Sequence, residues 1–309
     1  MQLSWLLFFS ALGFLHLFKL IFTLFKWVFI TFFRPPKNLK NYGSWAIITG
    51  ATDGIGKAFS FQLAQNGLHL ILVSRNLSKL KEVSDEIVSV HPTTKIKIFT
   101  MDFSGENVVA GVREMQKVIS SEQLDVGVLV NNVGVTYPAA RFFHEVEEEV
   151  WMKVMKVNVI ATTLVTRAVV EGMIERKRGV IVNIGSGAAI VVPSHPLYAI
   201  YAASKAYVDQ LSRSLYVEYK SLGIDVQCQV PLYVSTNMAS QVASVEKSSL
   251  FIPTADDYVK AAIRQIGYKS RCTPYWTHSV QWFFASLTLD SILDTWRLSI
   301  GIQRRGQLA

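Results

Sequence analysis

A tyrosine and a lysine stand four residues apart in the segment YAASK, at Tyr201 and Lys205. On a helix, residues i and i+4 share one face, so this spacing brings the two side chains together. A lysine ammonium favours the phenolate form of a neighbouring tyrosine and lowers the pKa of its hydroxyl. Such a tyrosine can donate or accept a proton near neutral pH, which predicts acid–base chemistry at Tyr201. Tyr198 has Ala202, not a lysine, at the corresponding position.

A serine at a predicted strand end is a second candidate. Ser186 follows the apolar segment VIVNIG and precedes Tyr201 in the chain. In an open α/β sheet, ligands bind in the crevice beyond the carboxyl ends of the strands. We therefore predict that the Ser186 hydroxyl faces a ligand crevice.

A glycine-rich segment, TGATDGIG at 49–56, follows the apolar run WAIIT and opens a helical pattern. Gly50 permits a tight turn, and Gly54 and Gly56 let the backbone approach a pyrophosphate. The N-terminus of the helix then offers free N–H groups and a positive dipole to the phosphates. The segment predicts a dinucleotide site with these cofactor-binding residues: Gly50, Thr52, Asp53, Gly54, Ile55 and Gly56.

The end of the second predicted strand indicates which dinucleotide binds. An acidic residue there would bind the ribose 2′-hydroxyl of NAD, but this chain has Ser74 and Arg75. Arg75 can pair with a 2′-phosphate and Ser74 can donate a hydrogen bond to it, which predicts NADPH/NADP. Asp102, after the third strand, has two interpretations: it contacts the adenine edge, or it is a helix N-cap with Ser104 nearby.

These residues need a scaffold, and the pattern of apolar runs supplies one. Strand-length apolar segments alternate with stretches of helical spacing, which is typical of buried parallel strands joined by helices. We predict an α/β fold: a single-domain, doubly wound parallel sheet of Rossmann type over residues 44–274. The predicted strands are 45–49, 68–73, 95–101, 126–130, 180–184 and 224–230.

The N-terminal segment reads as a membrane anchor. Trp5 to Phe33 is predominantly apolar and longer than the roughly 20 residues that a spanning helix needs. Positive charge follows the run rather than preceding it, unlike in a signal peptide. We predict an anchor at 1–33 and a linker at 34–43, with the segment from Arg34 onward facing the cytosol. One tilted span, a hairpin loop, and a span followed by an interfacial helix all stay open for the anchor.

Composition excludes several other classes. With 17% charged and 50% hydrophobic residues the chain is not disordered, and two cysteines cannot form a disulfide framework. The net charge of +8 is not arranged as a basic, aromatic-interleaved patch, so we expect no nucleic acid. The six histidines lack metal-ligand spacing, so no metal site is predicted. The apolar tail at 275–309 contains Asp290 and Asp294, which favours an interfacial helix or a lid over an acyl channel.

Five motifs in this order give the chain a resemblance to the short-chain dehydrogenase/reductase superfamily: TGATDGIG, NNVG at 131–134, Asn158, Ser186 and Y-x-x-x-K. The resemblance implies that Tyr201 is the general acid. It implies that Lys205 lowers the pKa of Tyr201 and holds the nicotinamide ribose. Ser186 would bond the substrate carbonyl oxygen, and Asn158 would hold a water in the proton relay.

The resemblance also assigns residues to cofactor binding. Asn131 would touch the adenosine side, and Pro231 and Val234 belong to the segment that contacts nicotinamide. The chain departs from the superfamily at Val133, where alanine is usual.

A closer resemblance covers nearly the whole chain. The apolar N-terminus and the segments FRPPKNLKNYGSWAIITGATDGIGKA and VQCQVPLYVSTNM resemble the membrane-bound very-long-chain 3-oxoacyl-CoA reductases, with the plant branch nearest. The resemblance implies an acyl-CoA substrate, a lipid bilayer and elongase subunits as partners, a homodimer, and an endoplasmic reticulum membrane with a cytosolic active site. Two alternatives stay open: a hydroxysteroid or lipid-alcohol dehydrogenase, and a weakly catalytic scaffold subunit of the elongase.

Overall fold

The computed structural model describes residues 2–243 and 247–306 and divides the chain into two compact units, Met1–Pro36 and Lys37–Ala309. In the first unit, helix α1 (Gln2–Val28) is followed by a π-helical turn, Phe29–Phe33. Trp5–Phe33 has the length and composition of a membrane-spanning helix, with a mean hydropathy of 1.9. Its large apolar side chains are exposed within this unit, as expected of a surface that lipid covers.

The second unit is built on a seven-stranded parallel sheet in the order β3-β2-β1-β4-β5-β6-β7. This confirms the predicted fold class. The strand order reverses between β1 and β4, which opens a crevice at the carboxyl ends of these strands. The seventh strand was not predicted, because two residues are too few to show a pattern. The strands are β1 (Trp45–Thr49), β2 (His69–Ser74), β3 (Ile96–Thr100), β4 (Val126–Asn131), β5 (Gly179–Ile184), β6 (Ile224–Gln229) and β7 (Arg271–Cys272).

Helices cover both faces of the sheet, which explains the uninterrupted apolar runs. In β1, Ala46 and Ile48 pack in one core layer, and Trp45 and Ile47 pack in the other. The helices are α2 (Gly54–Gln65), α3 (Leu77–Val90), α4 (Val108–Ser121), α5 (Glu148–Val154), α6 (Ala161–Glu175), α7 (Gly187–Ile190), α8 (Ala199–Tyr219), α9 (Asn237–Ala243), α10 (Ala255–Ile263), α11 (Trp276–Leu287) and α12 (Asp290–Gly306). A π-helical segment, Met155–Ile160, joins α5 to α6.

The boundary between the units differs from the predicted linker at 34–43. Residues 37–43 belong to the second unit, where Leu39 is fully buried. The Tyr42 hydroxyl and the Lys37 ammonium both donate to the Asp225 carboxylate, at 2.5 and 3.0 Å. The hydrogen bonds from Lys220, Tyr42 and Lys37 hold the pKa of Asp225 below its usual value although burial opposes this. Residues 37–43 therefore pack near the start of β6, where Lys37 and Tyr42 bond the buried Asp225 carboxylate.

Candidate active site

Helix α8 carries the predicted Tyr201–Lys205 pair into the crevice. The Lys205 side chain is buried, and its Nζ donates to the carbonyl oxygen of Ile184 at 2.9 Å, at the end of β5. Burial lowers the pKa of Lys205 to about 8, although the nearby Cys228 thiol opposes this. The ammonium is therefore buried where its charge is unfavourable. Ionisable groups with shifted pKa values are common at functional sites.

Tyr201 meets Ser186 across the crevice. Ser186 precedes the short helix α7, and its Oγ accepts a hydrogen bond from the Ala188 N–H at 3.2 Å. Burial raises the pKa of Tyr201, and a hydrogen bond with the Ser186 side chain opposes the rise. The structure therefore does not show the lowering of this pKa that the spacing predicts. Tyr201 stays protonated near neutral pH, as a proton donor must be.

Asn158 lies in the π-helical segment between α5 and α6. Its Nδ2 donates to the Val135 carbonyl and to Ser204 Oγ, both at 2.9 Å, and its Oδ1 accepts from the Val135 N–H. Ser204 in turn donates to the Tyr201 carbonyl oxygen at 2.7 Å. The side-chain amide is thus bonded to protein rather than presented to a water, and it fixes the loop after β4 against α8.

The glycine-rich loop has the close contacts that the sequence predicts. Gly50 has a φ of +67°, and a Cβ on Gly56 would lie 2.1 Å from the Gly50 carbonyl oxygen. Asp53 caps α2, with its Oδ1 accepting from the Gly54 N–H at 2.8 Å. The backbone at Gly56 therefore approaches the strand end as closely as a glycine allows, which fits a loop that cradles a pyrophosphate.

The residues predicted to choose the cofactor lie at the end of β2. Ser74 is buried and shares a hydrogen bond of 2.9 Å with Thr52 Oγ1, whereas the Arg75 side chain is exposed. Asp102 accepts from the N–H and the hydroxyl of Ser104, and these bonds, with a contribution from Arg75, lower its pKa. Asp102 therefore caps a local turn at Ser104 and is not a helix N-cap, because α4 begins at Val108 with Asn107 as its N-cap.

Two predicted cofactor contacts need correction at the level of side chains. The Asn131 amide donates to Thr166 and to Asn183, at 2.9 and 2.8 Å, and is buried. The Val234 side chain packs in the core layer around Ala46. A side chain at a strand end points either into the crevice or into the core, and sequence spacing did not distinguish the two. The side chains of Asn131 and Val234 are thus engaged within the protein, and Pro231 is also buried.

Several residues of the crevice were missed. Asn132 Nδ2 donates to the carbonyl oxygens of Thr49 and Gly50, at 3.0 and 3.2 Å, so it locks the glycine loop. Asn237 donates to Asp53 Oδ2 at 2.8 Å, which joins the segment after β6 to this loop. The second asparagine of NNVG could have indicated Asn132. Asp53 and Asn237 are 184 positions apart, so no sequence spacing could have indicated their contact.

Helix α12 supplies the largest group that sequence reasoning missed. Arg297 is only 9% exposed and lies 2.6 Å from Nδ1 of His195. Arg304 donates to the Tyr233 hydroxyl at 3.0 Å. Tyr233 is close enough to Tyr201 to influence its pKa. The predicted apolar tail therefore contributes one buried and one half-buried cation beside the crevice.

Together, the described residues can bind a dinucleotide on the glycine loop and protonate an oxygen held between Ser186 and Tyr201. No cluster of metal-ligating side chains occurs within 2–243 and 247–306. The arrangement fits the reduction of a carbonyl group.

Comparisons with known proteins agree with this geometry. The sequence model of a family described as short chain dehydrogenase matches residues 44–247. The chain is 59% identical to a very-long-chain 3-oxoacyl-CoA reductase-like protein of Arabidopsis thaliana, over 95% of this chain and 93% of that protein. It is 37% identical to the very-long-chain 3-oxoacyl-CoA reductase of Rattus norvegicus, over 82% of this chain and 77% of that protein.

Two further relatives bear on activity and fold. The inactive hydroxysteroid dehydrogenase-like protein 1 of Homo sapiens is 41% identical, over 80% of this chain and 73% of that protein. The solved structure of a short-chain dehydrogenase from Sphingobium yanoikuyae in complex with NADPH is 26% identical, with a TM-score of 0.63 over 72% of this chain and 83% of that one.

Proposed function

Because the chain belongs to the short-chain dehydrogenase family, we propose that it reduces very-long-chain 3-oxoacyl-CoA to 3-hydroxyacyl-CoA with NADPH during fatty-acid elongation. The observation that carries the proposal is the assembled set of Asn158, Ser186, Tyr201 and Lys205 in a chain of this similarity. The similarity to the Arabidopsis protein extends over 95% of the chain, beyond the catalytic motifs.

The residues of the glycine loop and the β2 end fit NADPH. The Gly56 backbone leaves no room for a side chain, and the exposed Arg75 lies where a 2′-phosphate would be bound. NADPH supplies the hydride for the carbonyl carbon. A solved relative in this family binds NADPH, which supports the same choice here.

Side chains of the protein supply the proton that the reduction of the carbonyl group requires. Ser186 is placed to donate a hydrogen bond to the carbonyl oxygen, and the protonated Tyr201 is placed to transfer its proton to that oxygen as it becomes an alkoxide. The Lys205 ammonium, 2.9 Å from the Ile184 carbonyl, stabilises the tyrosinate that remains. Asn158 and Ser204 hold α8 in the position that this transfer requires.

Membrane association follows from the candidate span at Trp5–Phe33. We extend this to the endoplasmic reticulum with the catalytic unit in the cytosol, because Arg34, Lys37 and Lys40 follow the span. Elongase subunits and a homodimer are the expected partners. Large apolar side chains are exposed on α11, on α12 and between them, which supports the interfacial role predicted for 275–309: Phe283, Phe284, Leu287, Leu289, Ile292 and Trp296.

A non-catalytic role has one specific observation in its favour, since the human relative is named inactive. The intact Tyr201 and Lys205 argue against that role in this chain. The test is NADPH oxidation by membranes that contain the chain, with a long 3-oxoacyl-CoA, a 3-ketosteroid and membranes without the chain. Reduction of the acyl-CoA alone supports the proposal; reduction of the steroid alone, or of neither, contradicts it.

Cofactor preference gives a separate prediction. We expect Arg75→Ala to raise the KM for NADPH by about 10- to 100-fold, the effect of losing one charge-assisted pair, with little change for NADH. The measurement is the KM for each cofactor in the same membranes. Lys81→Ala, an exposed cation on α3, is the matched control. An equal loss for both cofactors would show that Arg75 does not contact the 2′-phosphate.

A further inference from the structure

Helix α12 is docked by one face on the loop before α8. Asp294 bonds Ser194, Arg297 contacts His195, and a Cβ on Gly301 would lie 2.9 Å from Leu197. One turn further, Arg304 reaches Tyr233. These positions recur every three to four residues, so a single helical face delivers both arginines to the crevice.

The two arginines have no acidic partner within the described residues, although Arg297 is almost completely buried. Arg305, on the exposed side of the helix, pairs with Glu145 instead. The contacts of Arg297 and Arg304 are neutral: burial and both arginines lower the pKa of His195 to about 3, so its imidazole is uncharged. Burial of a cation without a counter-charge is costly, and such groups are kept where they bind something.

Both arginines act on one hydroxyl. Arg304 donates to the Tyr233 oxygen at 3.0 Å, and Arg297, which contacts His195, adds a second positive charge close enough to affect the pKa of Tyr233. Burial opposes the shift, but these two cations lower the pKa of Tyr233. A hydroxyl that accepts from one cation and lies near a second is polarised, and its own proton remains available to donate a strong hydrogen bond.

The position of Tyr233 limits which groups its hydroxyl can bond. Tyr233 lies in the segment after β6. This segment also approaches the glycine loop, because a Cβ on Gly54 would lie 3.0 Å from the Thr236 side chain. The Gly187 N–H, next to Ser186, donates to the Pro231 carbonyl oxygen at 2.9 Å, and a Cβ on Gly187 would lie 3.2 Å from Leu232. The segment that carries Tyr233 therefore packs beside Ser186, and Tyr233 also contributes to the raised pKa of Tyr201. A substrate held by Ser186 and Tyr201 through its ketone oxygen therefore presents its neighbouring atoms to Tyr233.

We propose that Tyr233, polarised by Arg297 and Arg304, binds a second carbonyl oxygen of the substrate, two carbons from the ketone that is reduced. This rests on the proposed function, in which that second oxygen is the thioester carbonyl of a 3-oxoacyl-CoA. The subsite distinguishes a 1,3-dicarbonyl substrate from a simple ketone. Because Arg297 and Arg304 both lie on α12, the proposed subsite also gives this helix a role in substrate specificity.

The test compares 3-oxoacyl-CoA with 5-oxoacyl-CoA of equal chain length, in which the thioester oxygen is displaced from the subsite. For the full chain in membranes, we expect Tyr233→Phe to lower the ratio of their kcat/KM values by about tenfold or more, as for the loss of one strong hydrogen bond. Arg297→Met should lower the same ratio. Arg305→Met, on the same helix, should leave it unchanged.

Two readouts separate this subsite from a structural role and from the proposed function. The NADPH affinity of Tyr233→Phe should match that of the wild type, because the glycine loop is unchanged. Its melting temperature should fall only slightly, because Arg304 loses one hydrogen-bond acceptor. Equal losses on both substrates, or an unchanged ratio, would overturn the subsite while leaving the reductase function in place. A wild-type chain that does not reduce 3-oxoacyl-CoA would overturn both.

Discussion

Tyr201→Phe is expected to lower kcat for 3-oxoacyl-CoA reduction by about 10²- to 10⁴-fold, the usual contribution of a positioned general acid. The pKa of Tyr201 is raised by burial, so the hydroxyl carries its proton throughout the neutral range. Phenylalanine retains the ring and removes only the proton donor and the hydrogen bond with Ser186. The NADPH oxidation rate in membranes, at equal amounts of protein, measures the effect.

Tyr198→Phe is the matched control for this change. Tyr198 lies one turn before Tyr201 and stacks on Tyr137, with ring centroids 5.5 Å apart, and it has no lysine partner. We expect this variant to keep activity within a few fold. If Tyr201→Phe also kept the wild-type rate of NADPH oxidation, Tyr201 would not be the proton donor.

Lys205→Met is expected to separate activity from stability. Activity should fall by about 10²-fold or more, because the variant loses the cation that stabilises the tyrosinate. The unfolding free energy should not fall with it. Burial lowers the pKa of Lys205 from 10.5 to about 8, which corresponds to about 3 kcal/mol of destabilisation by the buried charge at neutral pH. Loss of the hydrogen bond to Ile184 offsets only about 1 kcal/mol of the gain.

The pH dependence of unfolding tests the same group. Between about pH 8 and 10.5 the folded state binds fewer protons at Lys205 than the unfolded state does. The contribution of Lys205 to stability therefore rises with pH across this window, and below about pH 8 its full penalty is present. The difference in melting temperature between Lys205→Met and the wild type should shrink from pH 7.5 to pH 10. A constant difference would contradict a depressed pKa.

Some parts of the candidate site could be predicted from the sequence, and others could not. The glycine loop, the Tyr201–Lys205 pair and Ser186 were predictable because each depends on local geometry. A strand end, a helix start and an i, i+4 pair place side chains through backbone periodicity alone. The six longer strands were predictable for the same reason, since strands covered on both faces are apolar throughout.

The sequence by itself thus determined the fold class, the glycine loop and the positions of the Tyr201–Lys205 pair that we propose moves the proton. The tertiary structure alone decided which way side chains at strand ends point, so Asn131 joins the core while Asn132 locks the glycine loop. It also brought Asn237 to Asp53, and Arg297 and Arg304 to His195 and Tyr233. Contacts between positions about 70 to 180 residues apart depend on how helices dock on the sheet, and no local periodicity records that docking.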